Sequence, residues 1–282
     1  PAVRGGAVER IIEETAGEMP CQTVVSPWDP DLTGEKIKGS FEWVDVEAES
    51  EDVAQRLKCQ VGDMTKDQIA RFAYLNCVAS IIEELAPDII EVHNRVGALD
   101  YLQREFPERK TLLHMYNELG PSGSTYERAL RKVDQVVFVS AYLRNRGIRR
   151  FPFLRSKSQI VHNAVHPADW RVTPPRRRGR HVLFVGRTTR TKGAHLAVEA
   201  FAKVKRVVKG ARMTIVGTPF FGLKGVNKYH RELERRAGRV GSVVFTGHVP
   251  YQALRETYQS ADLLLVPSLF EDPLPCVVLE AM

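Results

Sequence analysis

Short β-branched runs bounded by turn residues recur along the first part of the chain, at 22–26, 41–46, 88–93, 110–115, 135–140 and 159–162. Each has the length and composition of one strand. Between them lie stretches of helical period, with Val8, Ile11, Ile12, Thr15 and Ala16 on one face and Ile69, Phe72, Ala73, Leu75, Val78, Ile81, Ile82 and Leu85 on another. Strand alternating with helix predicts a parallel sheet covered on both faces. At 172–180 the pattern stops: Pro174-Pro175 stiffens the chain, and Arg176, Arg177, Arg178 and Arg180 leave no apolar periodicity, as in a linker. Alternation then restarts with strands at 181–185, 212–216, 242–246 and 262–266 and helices at 194–207, 228–237 and 251–259. The expectation is an α/β chain of two successive domains, 1–171 and 181–282, joined by 172–180.

A length of 282 residues suits two domains, and 43% hydrophobic with 27% charged residues is ordinary for a globular chain. The longest apolar runs, 133–139 and 263–267, are strand-sized and far short of the roughly 20 residues a membrane-spanning helix needs. Lysine and arginine (41) exceed aspartate and glutamate (34), a net charge of +7 that favours an anionic partner: nucleic acid, an anionic membrane face or a phosphorylated small molecule. Cys21, Cys59, Cys77 and Cys276 lie far apart without a C-x-x-C pair, which argues against a disulfide framework or zinc knuckle and for a cytoplasmic location. The start at Pro1 and the end at Met282, within an apolar helical run, point to a fragment.

Three segments that follow predicted strands can carry chemistry. In Val185-Gly186-Arg187-Thr188-Thr189-Arg190-Thr191-Lys192-Gly193, the loop leads into a helix N-terminus, where free N–H groups favour phosphate. Arg187 offers a planar fork and Lys192 a mobile charge. The plain alternative is a turn with solvated charges in which Gly193 eases the start of the helix. In the last segment, Asp272 stands in a strand-to-helix loop and Glu280 eight residues later in the helix, so both fall near one sheet edge, able to accept hydrogen bonds from sugar hydroxyls. Alternatively Asp272 is a helix N-terminal charge and Glu280 faces solvent. The third segment, 245–250, combines Gly247, His248 and Val249; its glycine permits close backbone approach to a flat base, or simply makes a turn.

Taken in order, F-V-G-R-x4-K-G, T-I-V-G (ending at Gly217), F-T-G-H-V-P, A-D-L-L-L-V-P-S and E-D-P-x-P-x-V-V-L-E-A-M resemble the donor domain of family 4 glycosyltransferases, which have the GT-B fold of two Rossmann-like domains. The first part agrees: Arg4-Gly5-Gly6 resembles the family's first Gly-Gly loop, Asp88-Ile89-Ile90-Glu91-Val92-His93-Asn94 its D-I-I-x-V-H-N strand, Val139-Ser140-x-Tyr142-Leu143 its V-S-x-Y-L, and 160–165 its I-x-N-G-V segment. Within the family the chain is similar to the spore-coat and cell-wall sugar transferases.

The resemblance implies retaining transfer of a sugar from a nucleotide diphosphate sugar, held by the second domain, to an acceptor (a glycan, lipid or small molecule) held by the first. No cofactor and no metal are implied. Arg187 and Lys192 match the cations that meet the diphosphate, Asp272 or its neighbour Glu271 the first acidic residue facing the sugar, and Glu280 the residue that takes the ribose. Gly186, Gly217, Gly247, His248, Val249 and Leu274 fall in the donor-side loops, and Gly5 and Gly6 in the loop closing over the diphosphate. Tyr116 stands where the family commonly has histidine; His114, two residues earlier, shares its strand face and is either a catalytic cleft residue or a core histidine. Ala164 and His166 replace the usual Gly and Asp. The family pattern also expects a first strand before Pro1 and further second-domain elements after Met282.

Weaker signals complete the picture. Asp29-Pro30-Asp31, a D-x-D between Pro27 and Gly34, reads as a turn. Arg146, Arg149, Arg150 and Arg155 around Phe151 and Phe153 either meet anionic lipid, placing the chain at the inner membrane face, or form a solvated face over an anchored loop. A nucleic-acid binder is disfavoured because the arginines cluster at the linker and one loop, and the remaining alternative is a sugar-nucleotide binder without activity.

Overall fold

The computed structural model describes residues 11–12, 22–27, 40–44, 66–120, 123–165, 170, 179–219 and 227–282. They fall into two compact units, Ile11–His162 and Asn163–Met282.

In the first unit, β1 (Thr23–Pro27) and β2 (Ser40–Val44) form a parallel pair. Helix α1 (Lys66–Leu85) leads to a four-stranded parallel sheet, β3 (Ile89–His93), β4 (Lys110–Met115), β5 (Gln135–Phe138) and β6 (Ser158–Ile160), in that order. The crossovers are α2 (Val96–Glu105), α3 (Ser124–Lys132) and α4 (Ala141–Arg150). Tyr74 of α1 donates to the Val25 carbonyl at 3.1 Å, and burial pushes its phenol up to about 12. Leu99, Leu113, Leu130, Phe138, Leu143 and Leu154 form the fully buried centre, each contributing about 1.5–3 kcal/mol by leaving water. Strand β5 stops at Phe138, short of the expected residue 140, because Ser140 caps α4 by accepting the Leu143 N–H at 3.3 Å.

The second unit alternates β7 (His181–Val185), α5 (Ala194–Val207), β8 (Arg212–Val216), α6 (Lys228–Val240), β9 (Val243–Gly247), α7 (Tyr251–Gln259), β10 (Leu263–Leu264) and α8 (Cys276–Ala281). The strands are parallel in the order β10-β7-β8-β9. Period-two alternation divides β7 between two faces: Val182 and Phe184 pack with Ala197, Phe201 and Leu233, while Leu183 packs with Val216 and Leu254.

In this unit β9 is shifted by one residue from the expected 242–246, and two elements depart from expectation by more than that. Helix α6 runs three residues beyond 237 and ends at Gly241, whose φ of 69° an L side chain adopts only with strain. The strand expected at 262–266 shrinks to Leu263–Leu264, since the Asp262 carboxylate turns aside to accept the N–H groups of Gly179, Arg180 and His181, each at 2.9 Å. Pro267 then closes the other end.

Candidate functional site

All four strands of the second sheet run the same way, so the loops after β7, β8, β9 and β10 share its carboxyl edge, where ligands of open α/β sheets bind. Two glycines bring these loops together. Gly217 has φ 123°, donates its N–H to Gly247 O at 2.7 Å, and lies so close to the β7 loop that a Cβ would sit 2.1 Å from Gly186 O. Gly193, the left-handed N-cap of α5, lies where a Cβ would meet Pro267 O at 1.9 Å. The loop after β10 therefore rests on the loop after β7, and Leu269 N–H donates to Thr191 O at 2.7 Å.

This close approach sets the charged groups. Lys192 Nζ lies 2.5 Å from Asp272 Oδ2 and 4.8 Å from the centre of the Phe270 ring. Both side chains of the pair are largely withdrawn from water, Lys192 at 25% and Asp272 at 15% exposure, whereas Glu271 is exposed. Of the two adjacent carboxylates, Asp272 is thus the one turned to the cation. It is not a helix N-terminal charge. Arg187 is half-buried on the same loop. The loop is anchored from beneath by fully buried Thr188, whose Oγ1 lies 2.7 Å from His230 Nδ1 on α6.

Glu280 is buried, not solvent-facing, and accepts the Tyr258 hydroxyl at 2.7 Å. Tyr258 is packed edge-on by Trp170, whose Nε1 donates to Tyr251 at 3.3 Å. Asn163 Nδ2 donates to Leu274 O at 3.0 Å, fixing the loop between Asp272 and α8, which Pro273 and Pro275 also stiffen. Gly247 has φ 72°, His248 is exposed, and Val249 packs against the Leu183, Val216 and Leu254 cluster. Tyr258→Phe is expected to cost about 1–2 kcal/mol in urea unfolding, because the buried Glu280 loses its hydroxyl donor.

In the first unit the ends of β3 and β4 carry His93, His114 and Tyr116 as a stack, with His114 and Tyr116 rings 4.5 Å apart and 13° from parallel. His114 and Tyr116 do share a face. His114 Nδ1 donates to Glu91 Oε1 at 3.2 Å, and His93 Nδ1 shares a hydrogen bond with the Tyr116 hydroxyl at 3.2 Å. Burial holds the His93 imidazole down at about 4. For Glu91, burial acts upward but is outweighed by the His114 hydrogen bond and the charges of His93 and His114, leaving its carboxyl below the ordinary range. Asn94, with φ 57°, turns the chain after β3 and accepts the N–H groups of Tyr116 at 2.9 Å and Asn117 at 3.3 Å.

Gly5, Gly6 and the Asp29-Pro30-Asp31 turn lie outside the described residues. In the basic-aromatic segment, Phe151 is buried, Arg131 stands 4.3 Å over Phe153, Arg144 is bound to Ser158, and Arg150 donates to Leu119 O at 3.4 Å. Much of that charge is tied into the fold. Sequence reasoning did not single out Tyr258 or the Thr188–His230 pair, since helix spacing does not reveal a partner 22 or 42 residues away. Asn163 stood in a recognised segment, but its bond to Leu274 appears only in three dimensions.

A model of Glycosyltransferase Family 4 matches residues 8–169, and one of Glycosyl transferases group 1 matches residues 179–282. The chain is 28% identical over 308 residues to spore coat protein SA of Bacillus subtilis, covering all of this chain and 75% of that one. It is 23% identical over 206 residues to the lipopolysaccharide 1,2-N-acetylglucosaminetransferase of Salmonella typhimurium, covering 69% of this chain and 52% of that one. Among solved structures it is similar to Anabaena HepE in complex with UDP and glucose, with TM-score 0.69, 17% identity and coverage of 98% and 74%. It is also similar to sucrose-phosphate synthase from Thermosynechococcus elongatus, with TM-score 0.70, 16% identity and coverage of 97% and 72%. Both structures share its fold.

Proposed function

The chain belongs to glycosyltransferase family 4, and from that premise we propose that it transfers a sugar from a nucleotide diphosphate sugar to a glycan, lipid or small-molecule acceptor with retention of anomeric configuration. The observation that carries this reading is the Lys192–Asp272 pair at the carboxyl edge of the second sheet, seated between glycine-tightened loops. As the bond from sugar C1 to the diphosphate oxygen breaks, negative charge builds on the leaving group, and Arg187 and Lys192 are placed on one loop to meet it. The acceptor oxygen forms the new bond to C1, and its proton is taken up by the released diphosphate. Asp272 orients the sugar while holding Lys192 in place. Glu280, fixed by Tyr258, takes the ribose hydroxyls. No cofactor enters, since the two cations supply the charge stabilisation that the departing diphosphate requires.

UDP is the first nucleotide to test, as HepE was solved with UDP and glucose. The similarity to spore coat protein SA and to a lipopolysaccharide transferase supports a role in cell-surface glycan synthesis, for which a cytoplasmic enzyme working beside the inner membrane face is the fitting arrangement. Thermal unfolding against UDP, GDP and ADP tests the donor site. One diphosphate is expected to stabilise the chain, by about 2.7 kcal/mol at a hundred times its dissociation constant. Arg187→Ala and Glu280→Ala are expected to abolish that gain. Indifference to all three nucleotides would overturn the reading. A second reading, a nucleotide-sugar binder without turnover, is favoured by Tyr116 at the usual histidine position; stabilisation without any sugar transfer or donor hydrolysis would support it.

A further inference from the structure

Among the described residues, one cluster of potential metal-ligating side chains has no part in the donor site: Glu91 and His93 on β3 with His114 on the adjacent β4. His93 and His114 are directly opposite in the parallel register, and Glu91 lies two residues before His93 on the same strand face. The two imidazoles and the carboxylate therefore converge as a consequence of strand pairing. Glu91 Oε1 lies 3.2 Å from His114 Nδ1 and 3.6 Å from His93 Nε2, and one ligand atom from each residue falls within 4.8 Å of the others. Metal–ligand bonds of about 2.0–2.1 Å in a tetrahedron place ligand atoms about 3.3 Å apart. Two of the three edges already approach that length.

The surroundings fit the same chemistry. His93 turns its other nitrogen, Nδ1, to the Tyr116 hydroxyl at 3.2 Å, the kind of outer partner that orients a metal-ligating imidazole. His114 points Nδ1 at Glu91, while its Nε2 is buried without a hydrogen-bond partner, so the outer partner is supplied to His93 and not to His114. The two imidazole rings are stacked, with centroids 5.4 Å apart and planes inclined by 23°. Glu91 keeps 31% of its side chain exposed, which leaves a way in for the ion and an open position for water. Two histidines, one carboxylate and an open position match the donor set of Zn²⁺ and neighbouring divalent transition metals, whereas Mg²⁺ and Ca²⁺ favour oxygen ligands throughout.

We propose that Glu91, His93 and His114 form a binding site for a divalent transition-metal ion of the Zn²⁺ class on the first unit. The site is independent of the donor reading, because Arg187, Lys192, Asp272 and Glu280 take no part in it. Titration of the full chain with Co²⁺ after chelation, followed by visible absorption, tests it. One equivalent is expected to bind with the bands of four-coordinate cobalt and to be displaced by Zn²⁺. Glu91→Gln and His93→Ala, each verified as folded by circular dichroism, are expected to weaken that binding by about 100-fold or more, and Tyr116→Phe by about tenfold. Absence of a stoichiometric four-coordinate spectrum, or an unchanged titration in Glu91→Gln and His93→Ala, would overturn the site.

Discussion

Lys192→Ala is expected to lower turnover by roughly 10²–10³-fold, the usual loss when one fixed donor to developing negative charge is removed. The Lys192 ammonium is already oriented, held by Asp272 at 2.5 Å and backed by Phe270. Little reorganisation is needed when charge appears on the leaving group. The same substitution is also expected to cost stability, by about 1–3 kcal/mol, because the Asp272 carboxylate, 15% exposed, loses its charged partner. Comparing kcat/KM with urea unfolding for the same variant separates the two effects. Lys192→Arg keeps the charge but exchanges a compact ammonium for a planar fork, and an intermediate rate is expected. Turnover within threefold of the parent for Lys192→Ala would remove Lys192 from the chemistry.

Gly193→Ala is expected to destabilise the second unit by about 2–5 kcal/mol, combining left-handed backbone strain with overpacking. Its φ is 71°, and the added Cβ would meet Pro267 O at 1.9 Å, a contact with main chain that no rotamer change relieves. The loop carrying Asp272 would be pushed off Lys192, so nucleotide stabilisation is expected to fall with stability. Gly179→Ala is the control: φ there is 65°, but nothing lies within 4 Å of the added carbon. It is expected to cost only the backbone strain, about 1 kcal/mol. Equal losses for the two variants in urea unfolding would show that the Gly193–Pro267 approach is not what holds the loops together.

Much of the second unit was legible in the chain because its elements are local. The bounds of β7, α5, β8 and α7 follow from apolar periodicity and turn residues alone. The shortened β10 was not legible, since it depends on Asp262 reaching three N–H groups about 80 residues away. Motif order likewise assigned Arg187, Lys192, Asp272 and Glu280 to segments that follow β7 and β10, but spacing could not choose whether Glu271 or Asp272 faces Lys192. In the fold it is Asp272 that meets Lys192 while Glu271 is exposed, and the close approach of Pro267 to Gly193 brings their two loops together. Glu280 reads in sequence as either solvent-facing or ligand-binding, and only the fold supplies the burial and the Tyr258 bond that exclude the first of these. In the first unit, strand alternation correctly placed His114 and Tyr116 on one face. Their alignment with His93 and Glu91 required the β3–β4 register, which periodicity within one strand does not contain.

Calorimetric titration of the chain with UDP, UMP and UDP-glucose, repeated on Lys192→Ala, tests most directly whether the edge of the second sheet is a nucleotide diphosphate site. One binding site is expected, tighter for the diphosphates than for UMP, with that preference largely lost in Lys192→Ala. Equal affinity for UMP and UDP, or an unchanged preference in the variant, would contradict it.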